Sequence, residues 1–244
     1  MTVKSKIIEF QNALDIKKAD GYFGGVSYET LLESKKVFKI NSNFINKLPI
    51  DKSKYKFEYV ENILKELNAV DEFKNPLYIA YALATIYHET AHTFLPLEEY
   101  GFGKSKVYGK SFKNNNDNVC YTNGKKNKTY SLATYPQYYY GRGFVQSTWF
   151  DNYKTFTDLL NVDLLKNPQL ACDVDIATKI LIYGMLNGTF TGKKLSSYIK
   201  YGIDDFEWIN ARRIINGTDK AELIASYAKT FLEYMYLDSN CVVN

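Results

Sequence analysis

Tyr78-Ile79-Ala80-Tyr81-Ala82-Leu83-Ala84-Thr85-Ile86-Tyr87-His88-Glu89-Thr90-Ala91-His92 is the stretch that decides how the chain is read. Just before it, Asn75-Pro76 offers an N-cap followed by a proline at the first helical turn. Ile79, Leu83 and Ile86 then recur at helical spacing. An apolar helix is therefore expected from Pro76 into the His88–His92 segment, with Pro96 limiting how far it continues. Its end presents one carboxylate, Glu89, between the only two histidines of the protein. Two chemistries fit that end. His88 and His92, one helical turn apart with Glu89 between, have the H-E-x-x-H spacing at which two imidazoles share a metal and the carboxylate polarises its water. In the other reading Glu89 is a helix-end acid and the histidines are neighbours.

Outward from this stretch the pattern stays helical. Phe57, Val60, Ile63, Leu64 and Leu67 make Tyr55–Leu67 amphipathic. Trp149 opens a helix through Tyr153 and Phe156, and Cys172–Leu186 is strongly apolar. Shorter helices are expected over Gly192–Tyr201 and Phe206–Ile215. Thr218 or Asp219 is expected to cap a final helix whose buried stripe is Leu223, Ile224, Tyr227, Phe231 and Tyr234. Near the N-terminus, Ile7, Ile8, Phe10, Ala13 and Leu14 share a helical face, and a second helix carries Leu31, Leu32, Val37 and Phe38. Tyr100–Pro136 has no periodicity but holds seven lysines from Lys104 to Lys128, either a solvated face or a cationic rim for an anionic polymer. With seven or more helices and no convincing strand pair, the fold class is mainly α.

Composition narrows the function classes. The 244 residues suffice for one substantial core with a small appendage, and 45% hydrophobic with 24% charged residues is ordinary for a globular chain. Tyrosine is abundant (22), so most tyrosines must be structural even though their faces suit sugar rings. A net charge of +4 favours an anionic surface, but no basic helix or dense Lys/Arg block points to nucleic acid. Cys120, Cys172 and Cys241 form no C-x-x-C and read as free thiols of a reducing compartment. Met1-Thr2-Val3-Lys4-Ser5-Lys6 leads into an amphipathic segment rather than an apolar run, so the protein is expected to be made and held in the cytoplasm, without membrane insertion.

Two resemblances follow from quoted residues. Phe10-Gln11…Leu14…Asp20-Gly21-Tyr22-Phe23-Gly24…Ser27 resembles the peptidoglycan-binding repeat, with Ser27 where that family usually has Thr and a shorter module than usual. This marks 1–42 as a helical wall-binding-like module; the plainer reading is a helix–turn–helix cap on the main domain. Residues 39–53, polar and holding Pro49, read as a linker.

The second resemblance covers 53–240. Tyr87-His88-Glu89-Thr90, Pro96-Leu97-Glu98-Glu99-Tyr100-Gly101, Tyr139-Tyr140-Gly141-Arg142-Gly143-Phe144-Val145-Gln146-Ser147-Thr148-Trp149 and Asn210-Ala211-Arg212-Arg213-Ile214-Ile215-Asn216-Gly217 occur in the order seen in glycoside hydrolase family 19. That family comprises chitinases and lysozyme-like phage endolysins. The resemblance implies a lysozyme-like bilobal α-helical domain with a cleft, no cofactor, and inversion at a glycosidic bond by an acid and a base roughly 6.5–9.5 Å apart. Glu89 matches the acid, a role that desolvation beside Tyr87 and Phe94 would assist. Glu99 matches the base, with adjacent Glu98 its rival, and Thr148 matches the hydroxyl that holds the attacking water. Gln146, Asn152 and Asn216 match positions in the substrate cleft, to which His88, Glu98, Trp149 and Arg213 are added as candidates. Arg213 or Arg212 is expected to pair with a catalytic carboxylate. Asp151 stands where many chitinases carry Tyr, so that contact is not transferred. Arg142 reads as a brace for its turn, and Trp149 equally as core or platform.

On this resemblance the expected substrate is bacterial peptidoglycan, cleaved between N-acetylmuramic acid and N-acetylglucosamine, with chitin as the alternative. The expected role is that of a phage endolysin: a monomer held in the infected host's cytoplasm until lysis, reaching the wall with the help of a holin. The zinc-peptidase alternative would use His88, Glu89 and His92, but no third histidine exists and any Glu chosen as third ligand, Glu207 or Glu222, would be arbitrary. A wall-binding protein with a decayed site is the non-enzymatic alternative.

Overall fold

The computed structural model describes residues 1–50, 54–104, 106, 108, 111–113, 119–123, 128–131, 133, 137–200 and 205–238. In chain order the elements begin with α1 (Val3–Ala13), α2 (Gly25–Ser34) and β1 (Val37–Ile40), then α3 (Phe57–Asn68) and α4 (Pro76–Glu89). Short strands follow: β2 (Leu97–Glu98), β3 (Ser111–Lys113), β4 (Val119–Asn123), β5 (Lys128–Ser131) and β6 (Arg142–Gly143). The chain ends with α5 (Phe150–Leu160), α6 (Val174–Asn187), α7 (Leu195–Tyr198), α8 (Asp205–Asn210), α9 (Ala221–Tyr234) and β7 (Met235–Asp238). The fold is mainly α. It divides into two compact units, Met1–Thr93 with Leu181–Asn244, and Phe94–Ile180.

In the first unit α4 is the central element. Leu77 and every residue from Ile79 to Tyr87 are buried, the pattern of a helix apolar on all sides and surrounded by protein. Asn75 caps it as expected, its Oδ1 accepting from the Leu77 N–H at 3.0 Å, with Pro76 at the first turn. α9 packs along α4. Between them Tyr87 meets the edges of Tyr227 (4.7 Å) and Phe231 (5.7 Å), and Phe44 closes on Phe231 (5.2 Å). Burying aromatic and aliphatic side chains at this interface contributes about 1.5–3 kcal/mol each relative to exposure.

Residues 1–42 pack as part of this same unit. β1 pairs antiparallel with β7, Val37 opposite Asp238 and Ile40 opposite Met235, and α1 lies against α9. Phe38, fully buried, meets Phe10 (5.2 Å) and Phe23 (6.4 Å). Asn68, buried on α3, donates to the Phe38 carbonyl and accepts from its N–H, both at 2.9 Å, so the backbone polar groups on that side of β1 are satisfied. The turn at Asp20–Gly24 is knitted by buried Gln11, whose amide nitrogen donates to Asp20 Oδ1, the Tyr22 carbonyl and Ser27 Oγ. Its amide oxygen accepts from the Gly21 N–H. Gly21 sits at φ +77°, and a Cβ there would lie 2.4 Å from the Lys4 side chain, so the position demands glycine.

Several expectations are corrected. Val37 and Phe38 belong to β1, because α2 ends at Ser34 with Lys35 left-handed (φ +55°). Among the described residues there are three small sheets where no strand pair was expected: β1–β7, β2–β6 and β3–β4–β5. The unperiodic Tyr100–Pro136 stretch holds the three-stranded sheet, while its run Asn114–Asn118 lies outside the described residues. The expected linker instead includes β1's last residues and a short 3-10 helix, Ser42–Asn46, whose Phe44 is core. α9 starts at Ala221, with Lys220 left-handed and no side-chain cap from Thr218 or Asp219. Its buried face is Ile224, Ala225, Tyr227, Ala228, Phe231 and Leu232, and Leu223 is exposed. No helix among the described residues is long and apolar enough to cross a membrane.

Candidate active site

The candidate residues fall into two groups, one in each unit. In the first unit Glu89 is the last residue of α4. Thr90 ends the helix, its N–H and its hydroxyl both donating to the Ile86 carbonyl (3.0 and 2.7 Å). A carboxylate at a helix C-terminus faces the negative end of the macrodipole, which is unfavourable without a cation. Arg212 supplies it: its Nη1 lies 2.5 Å from Glu89 Oε1, and its Nε donates to the Asp219 carbonyl at 3.1 Å. Arg212 is 4% exposed in its side chain and Glu89 21%, so the pair is largely withdrawn from water. Of the two arginines named as partners, the structure assigns the contact to Arg212. Arg213 is exposed and donates to Asn210 Oδ1 (3.3 Å). Asn216, also exposed, accepts from the Gly217 N–H (2.9 Å).

The histidines do not form a metal pair. α4 stops at Glu89, and Ala91 (φ +49°) and His92 (φ +70°) turn left-handed, so the i, i+4 spacing never closes into one helical turn. The His92 ring instead stacks on Tyr87 (4.3 Å) and meets the edge of Tyr227 (5.9 Å). Burial lowers the His92 pKa below its ordinary 6.5, helped by His88. Burial likewise lowers that of His88, opposed by Glu89 and helped by Arg212. Among the described residues no group of three His, Cys, Asp or Glu side chains is arranged to hold a metal ion. The apolar shelter expected for Glu89 also differs. Tyr87 packs into the aromatic stack and donates its hydroxyl to the Pro49 carbonyl, while the polar contact on the Glu89 carboxylate comes from Arg212.

In the second unit β2 and β6 pair with Glu98 opposite Arg142. Consecutive residues of an extended chain point to opposite faces, so Glu98 and Glu99 enter different surroundings. Glu98 Oε1 accepts from Arg142 Nε (3.1 Å) and Tyr140 Oη (2.8 Å), while Oε2 has no hydrogen bond among the described residues. The side chain is 38% exposed. Arg142 is itself buried: Nη1 donates to the Tyr138 carbonyl (3.1 Å) and Tyr153 Oη (3.0 Å), and the guanidinium lies 3.5 Å over the Tyr140 ring. Glu99 is held through both oxygens. Tyr108 Oη is 2.9 and 2.8 Å from them, and the Gly141 N–H donates to Oε2 at 3.0 Å. Burial first, then the carboxylate, raises the pKa of the Tyr108 hydroxyl, and the same causes act on Tyr140 beside Glu98. Both hydroxyls therefore remain proton donors at neutral pH.

The Gly141-Arg142-Gly143 turn explains its own composition. A Cβ at Gly141 would meet Gln146 Oε1 at 2.7 Å, and Gly143, at φ +83°, would meet the Ala171 carbonyl oxygen at 2.8 Å. Gln146 donates to the Leu97 carbonyl (2.9 Å), tying the two strands together. Thr148 is half-buried and its hydroxyl has no described partner, while Asn152 donates to the Thr148 carbonyl (2.7 Å). Trp149, left-handed at φ +74°, holds the Tyr108 ring edge-on at 4.7 Å and so supports Glu99 indirectly. Sequence reasoning missed Tyr108, Tyr140 and Tyr153. Only Tyr140, beside the Gly-Arg-Gly turn, carried a local signal.

Lys104 and Lys106 are exposed; the other five lysines of the expected cationic rim have side chains outside the described residues. Cys172 is a free, half-buried thiol whose pKa is raised by burial.

No protein-family profile matches the chain, and no curated protein does. Among solved structures, chitinase C from Streptomyces griseus HUT6037 is similar at TM-score 0.48 and 21% identity, over 79% of this chain and 73% of that one. A bacterial family 19 chitinase is similar at TM-score 0.46 and 20% identity, over 79% of this chain and 92% of that one. A mutant of chitinase C gives TM-score 0.47 and 22% identity, over 79% and 73%.

Proposed function

We propose that the protein hydrolyses β-1,4 glycosidic bonds of bacterial peptidoglycan, with Glu89 as general acid and Glu98 as general base. The observation that carries the base assignment is the contrast between the adjacent carboxylates. A base must offer a free lone pair to the water it activates. Glu98 is anchored through Oε1 and has no hydrogen bond on Oε2 among the described residues, whereas both oxygens of Glu99 carry hydrogen bonds, from Tyr108 and Gly141. Glu99, the position that resembles the family's base, is then a support that fixes the strand end.

In the reaction so assigned, Glu89 protonates the glycosidic oxygen as the bond to the anomeric carbon breaks. Glu98 Oε2 takes a proton from water, whose oxygen attacks that carbon from the opposite face, and the configuration inverts. The Thr148 hydroxyl, with no described partner, orients the water. Arg212 stabilises the carboxylate that Glu89 becomes after giving up its proton.

Peptidoglycan is favoured over chitin by the Gln11–Ser27 resemblance to wall-binding repeats and by the net charge of +4. The endolysin role, and access to the wall through a holin, belong to this proposal. Mass spectrometry of fragments released from purified peptidoglycan and from chitin oligomers tests it. Fragments ending in reducing N-acetylmuramic acid are expected. Activity on chitin alone would move the assignment to a chitinase, and new peptide termini would sink it.

A further inference from the structure

We propose that the turn at 99–103 is a saccharide-stacking platform, on which Tyr100 and Phe102 receive the apolar faces of the pyranose rings of an N-acetylhexosamine chain beside Glu98. The proposal rests on the glycosidase reading and adds a binding element to it.

Exposure singles the turn out. Tyr100 is fully exposed (102%) and Phe102 half-exposed (52%), with Leu97 exposed three residues before Tyr100, whereas Trp208, Tyr81, Tyr87, Tyr139 and Tyr153 are fully buried. Three large apolar side chains facing water within six residues have no folding benefit. The backbone that displays them is strained. Gly101 (φ +76°), Phe102 (φ +53°) and Gly103 (φ +69°) are consecutively left-handed. That conformation costs a residue such as Phe about 1–2 kcal/mol and persists only where its surroundings impose it.

Those surroundings are the carboxylate network itself. The Glu99 N–H donates to the Gly141 carbonyl (2.7 Å), the Phe102 N–H to the Glu99 carbonyl (2.9 Å), and the Lys104 N–H to the Gly101 carbonyl (3.0 Å). A Cβ on Gly103 would come within 2.8 Å of Tyr140 Cβ, so the turn is pressed against Tyr140. Phe102 meets the Tyr140 ring edge-on at 5.7 Å, and the Tyr140 hydroxyl donates to Glu98 Oε1 at 2.8 Å. One continuous set of contacts thus runs from the Phe102 ring through Tyr140 to the proposed base. A flat ring with a polar edge suits the C–H face of a pyranose and leaves its hydroxyls to water. A strained, rigid turn loses little entropy when it binds.

The test is binding of a soluble N-acetylglucosamine oligomer and of solubilised peptidoglycan glycan strands, measured by calorimetry on the Glu89→Gln protein with and without Tyr100→Ala, Phe102→Ala and Tyr100→Trp. Kinetics of the same loop substitutions are followed in the otherwise native chain. Each alanine is expected to weaken binding about tenfold and to raise KM with kcat nearly unchanged, and Tyr100→Trp to retain affinity. Equal affinity and KM in the alanine variants, from a protein that binds and cleaves glycan, would overturn the platform and leave the glycosidase reading standing. A native protein that neither binds nor cleaves either glycan would overturn both. A fall in kcat with KM unchanged would also overturn the platform, since it would mean that the turn only supports Glu98.

Discussion

The surroundings of Glu89 and Glu98 solve the same problem differently. Glu89 ends a buried helix, where backbone dipole and carboxylate repel, and one buried arginine 123 residues later in the chain relieves the conflict. Glu98 lies on a two-residue strand with no comparable dipole, and a cluster of Arg142, Tyr140 and Tyr153 holds one of its oxygens while leaving the other open. The first arrangement ties a carboxylate to the stability of the core. The second keeps a carboxylate available to solvent at little structural cost. Substitutions around Glu89 should therefore affect folding most, and those around Glu98 the rate.

The largest effect expected on the Glu98 side is on catalysis. Glu98→Gln should lower kcat for reducing-end release from peptidoglycan by about 10²–10⁴-fold, the usual contribution of a general base, while Glu99→Gln should cost less than about tenfold. A reversed order would make Glu99 the base and remove the contrast between one-oxygen and two-oxygen anchoring. Next in size is the Glu89 side. Arg212→Met strands a part-buried carboxylate at a helix end and should cost about 3–5 kcal/mol in denaturant unfolding, whereas Glu89→Gln, which can still accept from Arg212, should cost far less. Equal losses would mean that the pair is not the coupling described.

Arg142→Lys keeps the charge but cannot donate at once to Glu98, the Tyr138 carbonyl and Tyr153 in fixed directions. A stability loss of about 1–3 kcal/mol is expected, together with a shifted acid limb of the pH–rate profile. An unchanged profile would confine Arg142 to bracing its turn. The smallest effect concerns the histidines. Both are half-buried, and the desolvation holds their folded pKa values below the ordinary 6.5, so in mildly acidic solution the unfolded chain binds more protons than the folded one. Their contribution is present above pH 6.5 and is lost as pH falls through the folded values. The thermal midpoint should drop below pH 6.5, and His92→Phe, which keeps the ring on Tyr87, should flatten that slope. A slope unaffected by the substitution would assign it to other groups.

Helices were legible where burial follows a 3.6-residue period, as in α3 with Val60, Ile63, Leu64 and Leu67, and where Asn75-Pro76 marks the start of the apolar run of α4. The strands were not. β1 and β7 pair segments far apart in the chain, and β2 and β6 are two residues each, so no local alternation announces them. At Thr218–Lys220 the chain enters α9 through a left-handed Lys220 with no side-chain cap, so the N-cap letters are present but not used. For the candidate site, motif order brought out Glu89, Glu98, Glu99 and Thr148. What it could not supply was which oxygen of which carboxylate is occupied, because Tyr108, Tyr140 and Arg142 act through distances rather than spacing. The H-E-x-x-H spacing misleads for the converse reason: five consecutive letters imply a helix that in fact ends at the second.

The most direct test of the central claim is the anomeric configuration of the first product, followed by proton NMR during digestion of purified peptidoglycan glycan strands. An acid at Glu89 and a water-activating base at Glu98 predict that the new reducing end appears first as the α-anomer. A β-anomer appearing first, or cleavage without any new reducing sugar, would contradict the account.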